Sequence, residues 1–274
     1  MNTNVFKMAT IVLMLSVATA GCDKTIETKS KIDSEIDITM MENSSGALQL
    51  YFSTTEIYPC CNWSIDLSWK KSSNNIDITF KSIIKPDICL TALGPATAMI
   101  DLGVLNNGIY QLNFYNEHVK QSGELVVSSD SYKINFADNS LVHFRNIPLN
   151  KIPENTIWIA INYNEEKFLS SFLEAFMGLG VTEKTYFSGY YSFENSSYPG
   201  LYSGFKVEEN GTVTFLPDFT NSGVMLGRLF TQSFVFQYLG NTENIEQLIK
   251  QYKEQIEIRA YTDKGEQFIS WMMN

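Results

Sequence analysis

Short runs of alternating apolar and polar residues recur through the first half of the chain and constrain its fold more than any other feature. In Ile36–Met40, Ser64–Trp69 and Ile76–Phe80, every second residue is apolar. Strict period two places one side of a strand in a core and the other side in water. Polar residues 72–75 form a natural hairpin turn between the second and third runs. Many short strands at this spacing predict a β-sandwich or small barrel over residues 33–146.

The segment from Leu105 to Leu112, in which Asn-Asn-Gly leads into Ile109 and Tyr110, resembles the tyrosine corner of immunoglobulin-like domains. In that corner the tyrosine hydroxyl bonds to backbone a few residues upstream. Leu112 stands where an antibody domain has its second cysteine, so the resemblance is to immunoglobulin-like and fibronectin-like sandwiches without that disulfide. It implies an immunoglobulin-like β-sandwich over 33–146 and a structural role for Tyr110.

The N-terminus combines Lys7, an uncharged and mostly apolar run over residues 8–20, and an Ala-Gly pair followed by Cys22. This order is typical of a secretory signal peptide, and the run is shorter than the roughly 20 residues of a membrane span. A cysteine directly after Ala-Gly resembles a bacterial lipobox, although Thr19 replaces the usual aliphatic residue. The resemblance implies a signal peptide over 1–21 and a lipid on Cys22. An ordinary secretory signal cut nearby is the alternative.

The charge balance limits the partners of the chain. Its formal net charge is −10, which argues against nucleic acid because phosphate contacts need clustered Lys and Arg. It argues equally against a basic patch that would dock on anionic lipid. The expected membrane attachment is therefore the lipid on Cys22, followed by a flexible polar tether over 22–32.

Catalytic and metal-binding patterns are missing from the sequence. The chain has only two histidines, His118 and His143, and it lacks a Gly-rich phosphate loop, a Cys-x-x-Cys pair, a nucleophile elbow and a His-Glu-x-x-His motif. Pairs of carboxylates such as Glu208 and Glu209 fall on expected solvated turns. The sequence thus predicts no catalytic residue, no metal site and no cofactor, and a hydrolase is the minority alternative.

The second half has a different period. A two-proline segment over 147–156 reads as a linker, and residues 157–274 alternate strand, helix, strand, strand, helix, strand. The second helix carries its apolar residues at i, i+3, i+4 and i+7, from Ile245 to Tyr252. This order predicts a ferredoxin-like α+β domain with a long insertion over about 194–232.

Three cysteines follow Cys22. A disulfide from Cys60 or Cys61 to Cys89 would close a loop around the predicted hairpin, and an exported chain sits where disulfides persist. A vicinal Cys60–Cys61 bridge is the alternative. A nucleophilic cysteine is disfavoured because nothing in the sequence places a histidine base beside any of these thiols.

Tyrosines mixed with Ser, Gly and Asn between residues 186 and 205 resemble a paratope loop, with rigid aromatic area among adaptable polar groups. The alternative is that alternate aromatics fill a core. A ferredoxin-like sheet also has one face without helices, and Trp158 is expected there with Tyr261. The long insertion is the natural candidate to cover that face. The binding candidates are Tyr190, Tyr191, Tyr198, Tyr202, Trp158 and Tyr261.

The residues from Ile100 to Phe114, together with the lipobox, resemble exported lipoproteins of the Bacteroidetes type in which an immunoglobulin-like module follows the lipid anchor. The resemblance implies a tethered accessory or binding module on the periplasmic face or the cell surface. We expect a non-catalytic binding or adhesion module for saccharide or protein. A structural or assembly factor of the envelope is the first alternative, with the open sheet as its docking face.

Overall fold

A computed structural model describes residues 32–136, 141–217, 219 and 230–270. The predicted signal peptide, Cys22 and nearly all of the tether lie outside these residues. The described chain contains eighteen strands and two helices, which confirms the prediction of a mainly β protein.

The first nine strands enclose one hydrophobic core. They are β1 (Ile36–Glu42), β2 (Leu48–Tyr58), β3 (Ser64–Ser72), β4 (Asn75–Ile84), β5 (Gly94–Asp101), β6 (Gly108–Asn116), β7 (Val119–Val127), β8 (Ser131–Phe136) and β9 (Val142–Phe144). The strand orders are β9-β1-β2-β5 and β3-β4-β6-β7-β8, and β3 meets β5 at one residue pair. Most pairs are antiparallel, but β4–β6, β1–β9 and the single contact between β3 and β5 are parallel.

The alternating residues account for this core. Ile76, Ile78 and Phe80 of β4 are buried in it, as the period-two pattern predicts. On β1 the polar face is also buried, because the chain after β9 packs over it. The Arg145 guanidinium there donates a hydrogen bond to the Asp37 carboxylate.

The second part of the chain begins within the predicted linker. Its elements are β10 (Leu149–Asn150), β11 (Thr156–Tyr163), α1 (Glu166–Met177), β12 (Thr182–Glu183), β13 (Gly189–Glu194), β14 (Tyr202–Val207), β15 (Val213–Leu216), β16 (Gln232–Gln237), α2 (Thr242–Tyr252), β17 (Ile256–Thr262) and β18 (Gln267–Ser270). Antiparallel neighbours give the sheet order β18-β17-β11-β16-β12.

The two helices cover one face of this sheet. Ile157, Ile159 and Ile161 of β11 share a core with Phe172 of α1 and Ile249 of α2, as expected for their side of the strand. Helix α2 begins after Asn241, whose side chain caps it by accepting a hydrogen bond from the Glu243 N–H.

The segment between β12 and β16, which contains the predicted insertion over about 194–232, covers the opposite face, so the sheet is not open. It begins before residue 194, since β13 belongs to it, and we continue to call it the insertion. Strands β13, β14 and β15 form an antiparallel sheet whose aromatic side chains pack on Trp158. The Trp158 ring stacks on Phe205 at 4.7 Å between centroids, and Tyr261 lies 4.4 Å from Phe193. Both Trp158 and Tyr261 are therefore buried core residues, and their prediction as binding candidates is wrong because the insertion covers this face.

The same insertion packs against the first nine strands. β10 pairs with β8 on one side and with β13 on the other, so the predicted linker is part of the strand network. Tyr202 of β14 and Phe219 are buried in the first core. The insertion is thus a middle layer between the two halves of the chain.

Candidate binding surface

The tyrosine-rich segment divides into a buried part and an exposed part. Tyr191 and Tyr202 are buried, Tyr190 is half-buried against the first core, and Tyr198 is 64% exposed. Because neighbouring residues of a strand face opposite ways, Tyr190 and Tyr191 pack into different layers. Four of the six predicted binding candidates are buried and so offer no surface to a ligand: Tyr191, Tyr202, Trp158 and Tyr261.

Buried hydroxyls in this segment have protein partners. The Tyr202 hydroxyl donates to Oε1 of Gln49 at 2.6 Å, and the Tyr191 hydroxyl donates to the Phe187 carbonyl at 2.9 Å. Burial raises the pKa of Tyr191 to about 12, and burial also raises the pKa of Tyr202. Both groups therefore stay neutral at physiological pH and act as structural hydrogen-bond donors.

Residues 195–201 connect β13 to β14, and we call this segment the aromatic turn. The Asn195 side-chain oxygen accepts hydrogen bonds from the N–H groups of Ser197 and Tyr198. The Ser196 N–H donates to the carbonyl of Gly265, which anchors the turn to the loop after β17. These bonds fix the backbone around Tyr198, whose side chain points to the outside.

Glu194 fastens the base of the aromatic turn. One carboxylate oxygen accepts the Gly200 N–H at 2.8 Å, and the other accepts both the N–H and the hydroxyl of Ser44 at 3.2 Å. Gly265 is required nearby, because its φ is +74° and an added Cβ would lie 2.1 Å from the Glu194 carbonyl oxygen. The turn is therefore joined both to the first half of the chain and to the end of β17.

A polar crevice of about 110 Å³ lies beside the aromatic turn, where the two halves of the chain meet. Its walls include Glu42, Ser44, Ser192, Glu194, Asp263 and Lys264.

Two of the three carboxylates in this crevice are occupied by backbone groups. Asp263 accepts the Asn155 N–H at 2.9 Å, and Glu194 holds the turn. Burial raises the pKa of Glu42, and contacts with the Tyr132 hydroxyl and Lys151 partly offset the shift. Glu42 Oε2 has no hydrogen-bond partner among the described residues. Glu194 and Asp263 thus hold backbone segments at this crevice, and Glu42 lies buried beside them.

The cysteine prediction is confirmed in its favoured form. Cys60 and Cys89 form a disulfide with 5.3 Å between their Cα atoms, while Cys61 is free and exposed. In the ranges that the structure covers, no group of three or more His, Cys, Asp or Glu side chains could hold a metal ion.

Neither α1 nor α2, the two helices of the described chain, has the length and apolar character needed to cross a membrane. No protein-family model matches this chain, and no curated protein or solved structure matches it.

Proposed function

We propose that this protein is a membrane-anchored envelope lipoprotein that acts as a non-catalytic binding or adhesion module for saccharide or protein. Its lipid anchor would be Cys22, at the periplasmic face or the cell surface, and its contact surface would be the aromatic turn with Tyr198 at its centre. An exposed tyrosine on a hydrogen-bonded turn, beside amide and hydroxyl groups, suits either ligand, since aromatic rings stack on apolar faces and the polar groups give hydrogen bonds.

The observation that carries the proposal is the position of the aromatic turn relative to the attachment end. The described chain starts at Ile32, just before β1, and the far end of β1 reaches the turn. There the Glu42 N–H donates to Ser192 Oγ at 3.0 Å, and Ser44 bonds to Glu194. Seven residues of β1 extend about 23 Å. The strand therefore separates the proposed anchor from the proposed contact surface.

The two alternatives have less support. An assembly factor that docks through an open sheet would need the face of Trp158, which the insertion buries. A hydrolase would need a pair of converging carboxylates free to act on a substrate, whereas two of the three in the crevice, Glu194 and Asp263, are bonded to backbone N–H groups.

At the level of fold, we propose that the second part is a ferredoxin-like domain with its insertion between β12 and β16. The order β17-β11-β16-β12, with helices on one face, supports this assignment. For the first part, the Tyr110 hydroxyl donates to the Asn106 carbonyl at 3.0 Å, which supports an immunoglobulin-like tyrosine corner. The parallel pair β4–β6 makes its strand order differ from the two antiparallel sheets of that family.

Lipid attachment is tested by labelling cells with radioactive palmitate. We expect Cys22→Ser to abolish labelling and to release the protein from membranes, while Cys61→Ser leaves both unchanged. Continued labelling of the Cys22→Ser variant would contradict the lipid anchor.

Ligand class is tested with an immobilised Cys22→Ser chain and native envelope fractions. If protease treatment of the envelope fraction leaves its retention unchanged and periodate oxidation abolishes it, the ligand is a saccharide. If protease abolishes retention and periodate does not, the ligand is a protein. Tyr198→Ala should lower retention of either, whereas Lys133→Ala, on the exposed face of β8, should not. If neither treatment nor Tyr198→Ala changes retention, the binding proposal fails.

A further inference from the structure

Five exposed aliphatic side chains lie together at one end of the first nine strands, and we call this group the aliphatic tip. Its members and their exposed fractions are Ile57 56%, Ile84 48%, Ile88 78%, Leu90 54% and Leu93 76%. Single exposed apolar residues are normal on a protein surface, but a contiguous group of them marks an interaction site.

Strand pairing brings these residues to the same end of the molecule. The last residue of β2, Tyr58, pairs with Gly94 at the start of β5. The first residue of β3, Ser64, pairs with Ile84 at the end of β4. The loops 59–63 and 85–93 therefore leave the sheets side by side.

The tip is held in shape by covalent and polar contacts. The Cys60–Cys89 disulfide joins its two loops. The Asn62 side chain donates to the Ile88 carbonyl at 2.8 Å and accepts the Leu90 N–H at 3.2 Å. Because these contacts fix the backbone, the aliphatic side chains of the longer loop are presented to the outside rather than folded onto the core.

The N-terminal segment leaves the molecule from this end. Ile36 at the start of β1 pairs with Thr54, three residues before Ile57, and the Ser34 hydroxyl oxygen accepts the Glu56 N–H at 3.1 Å. Nine residues, 23–31, separate Cys22 from Ile32. Even fully extended, this stretch spans at most about 35 Å. A lipid on Cys22 would therefore hold the aliphatic tip close to the bilayer.

We propose that the aliphatic tip inserts into the surface of the lipid bilayer to which the chain is anchored. This inference rests on the proposed lipid attachment and adds a second contact with the same membrane. Lys85 and Asp87 give the longer loop charges of both signs, so the attraction is apolar rather than electrostatic and should persist at high salt. Contact at the tip would orient the first nine strands and point the aromatic turn away from the membrane.

The test places the chain on vesicles without its natural lipid. A Cys22→Ser chain with a histidine tag before residue 22 is bound to phosphatidylcholine vesicles that contain a nickel-chelating lipid. The exposed Cys61 thiol carries a polarity-sensitive fluorophore. A matched control carries the fluorophore at Val104→Cys in a Cys61→Ser background, because Val104 is 66% exposed at the opposite end of the strands.

On the vesicles we expect the emission of the Cys61 probe to shift to the blue and to be quenched by nitroxide-labelled lipid. Both effects should be the same at low and high salt. The Val104→Cys probe should show neither. Ile88→Ser/Leu90→Ser/Leu93→Ser should lower the quenched fraction by about tenfold or more, since each change removes aliphatic area from the contact. Val104→Ser/Ile109→Ser, which alters exposed aliphatics at the other end, should leave it unchanged.

Two results would overturn the inference. One is a Cys61 probe that stays in water on the vesicles. The other is a blue shift that rises with chain concentration in the absence of vesicles, which would assign the tip to contact with a second copy. The vesicle experiment does not depend on the natural lipid, because the tag replaces it. The palmitate experiment therefore tests the lipid anchor, and the vesicle experiment separately tests insertion of the tip.

Discussion

The strands of the β13–β14 hairpin and the turn between them have the same mixture of Tyr, Ser and Gly, yet they have opposite environments. Tyr191 and Tyr202 of the strands are buried in two different cores, while Tyr198 of the turn is exposed. A composition that resembles a paratope therefore results largely from an aromatic layer packed between two cores. Of these three tyrosines, Tyr198 alone has the exposure that recognition requires.

The two faces of β11 show how this layer is specified. Ile157 and its alternate neighbours pack on the helices, whereas Trp158 packs on Tyr186, Tyr191 and Phe205 of the insertion. The indole N–H of Trp158 has no hydrogen-bond partner among the described residues. The tryptophan thus stabilises the middle layer through apolar and ring contacts.

The largest expected effect is the loss of this ring. We expect Trp158→Ala to lower the free energy of unfolding by about 3 to 5 kcal/mol, because it leaves a large cavity between the sheets. Trp158→Phe is the matched control and should cost clearly less, since it keeps ring packing and removes an unbonded N–H. Urea denaturation of both variants measures the difference. A loss below about 1 kcal/mol for Trp158→Ala would mean that the insertion does not pack there.

A smaller effect is expected from the buried tyrosine hydroxyl. Tyr202→Phe removes the hydrogen bond to Gln49 and should cost about 1 kcal/mol or somewhat more, since the Gln49 oxygen loses its donor. Tyr198→Phe, in the exposed turn, should leave the free energy of unfolding unchanged. Equal stability of the two variants would remove the distinction between strand and turn.

How far the sequence predicts this molecule differs between its parts. Period two located the strands of the first core, and it placed Ile157 and Trp158 on opposite faces of β11. Alternation gives the direction of a side chain but not the distant segment that meets it, so the cover of Trp158 could be inferred only from the length of the insertion, and its packing partners could not be predicted. The parallel pair β4–β6 and the pairing of β10 with β13 join residues far apart in sequence, for the same reason.

The candidate sites were predictable to a similar extent. Composition identified the segment around Tyr198, and the parity of Tyr190 and Tyr191 required that they face different ways. It could not separate Tyr198 from Tyr202, because their environments depend on contacts with Gln49 and the first core. The aliphatic tip was missed, because Ile88, Leu90 and Leu93 follow no period and become neighbours of Ile57 only through strand pairing.

A still smaller effect concerns Glu42, at the base of the aromatic turn. Burial raises the pKa of Glu42, so the folded state resists its ionisation. The contribution of Glu42 to the free energy of unfolding is therefore most favourable below the unfolded pKa of about 4.3, and it is lost as pH rises through the folded pKa. Glu42→Gln should therefore raise the melting temperature slightly at pH 7 relative to the unsubstituted protein. Thermal scans at pH 7 and pH 3.5 check this.

The difference between Glu42→Gln and the unsubstituted protein should disappear at pH 3.5, where both side chains are neutral. A variant that is less stable at pH 7 would contradict the direction of this shift. It would mean that the carboxylate contributes more through Tyr132 and Lys151 than it loses on burial.

The most direct test of the aromatic turn as the contact surface compares Tyr198→Ala with Tyr202→Ala. Two quantities are measured for each variant. One is its affinity for the envelope fraction that the immobilised chain retains, and the other is its melting temperature. Truncation of an exposed tyrosine anchor can cost about 2 kcal/mol of binding free energy, or roughly thirtyfold in affinity. We predict this loss for Tyr198→Ala with an unchanged melting temperature, and a lowered melting temperature for Tyr202→Ala. Unchanged affinity of Tyr198→Ala would contradict the account and place the contact surface elsewhere.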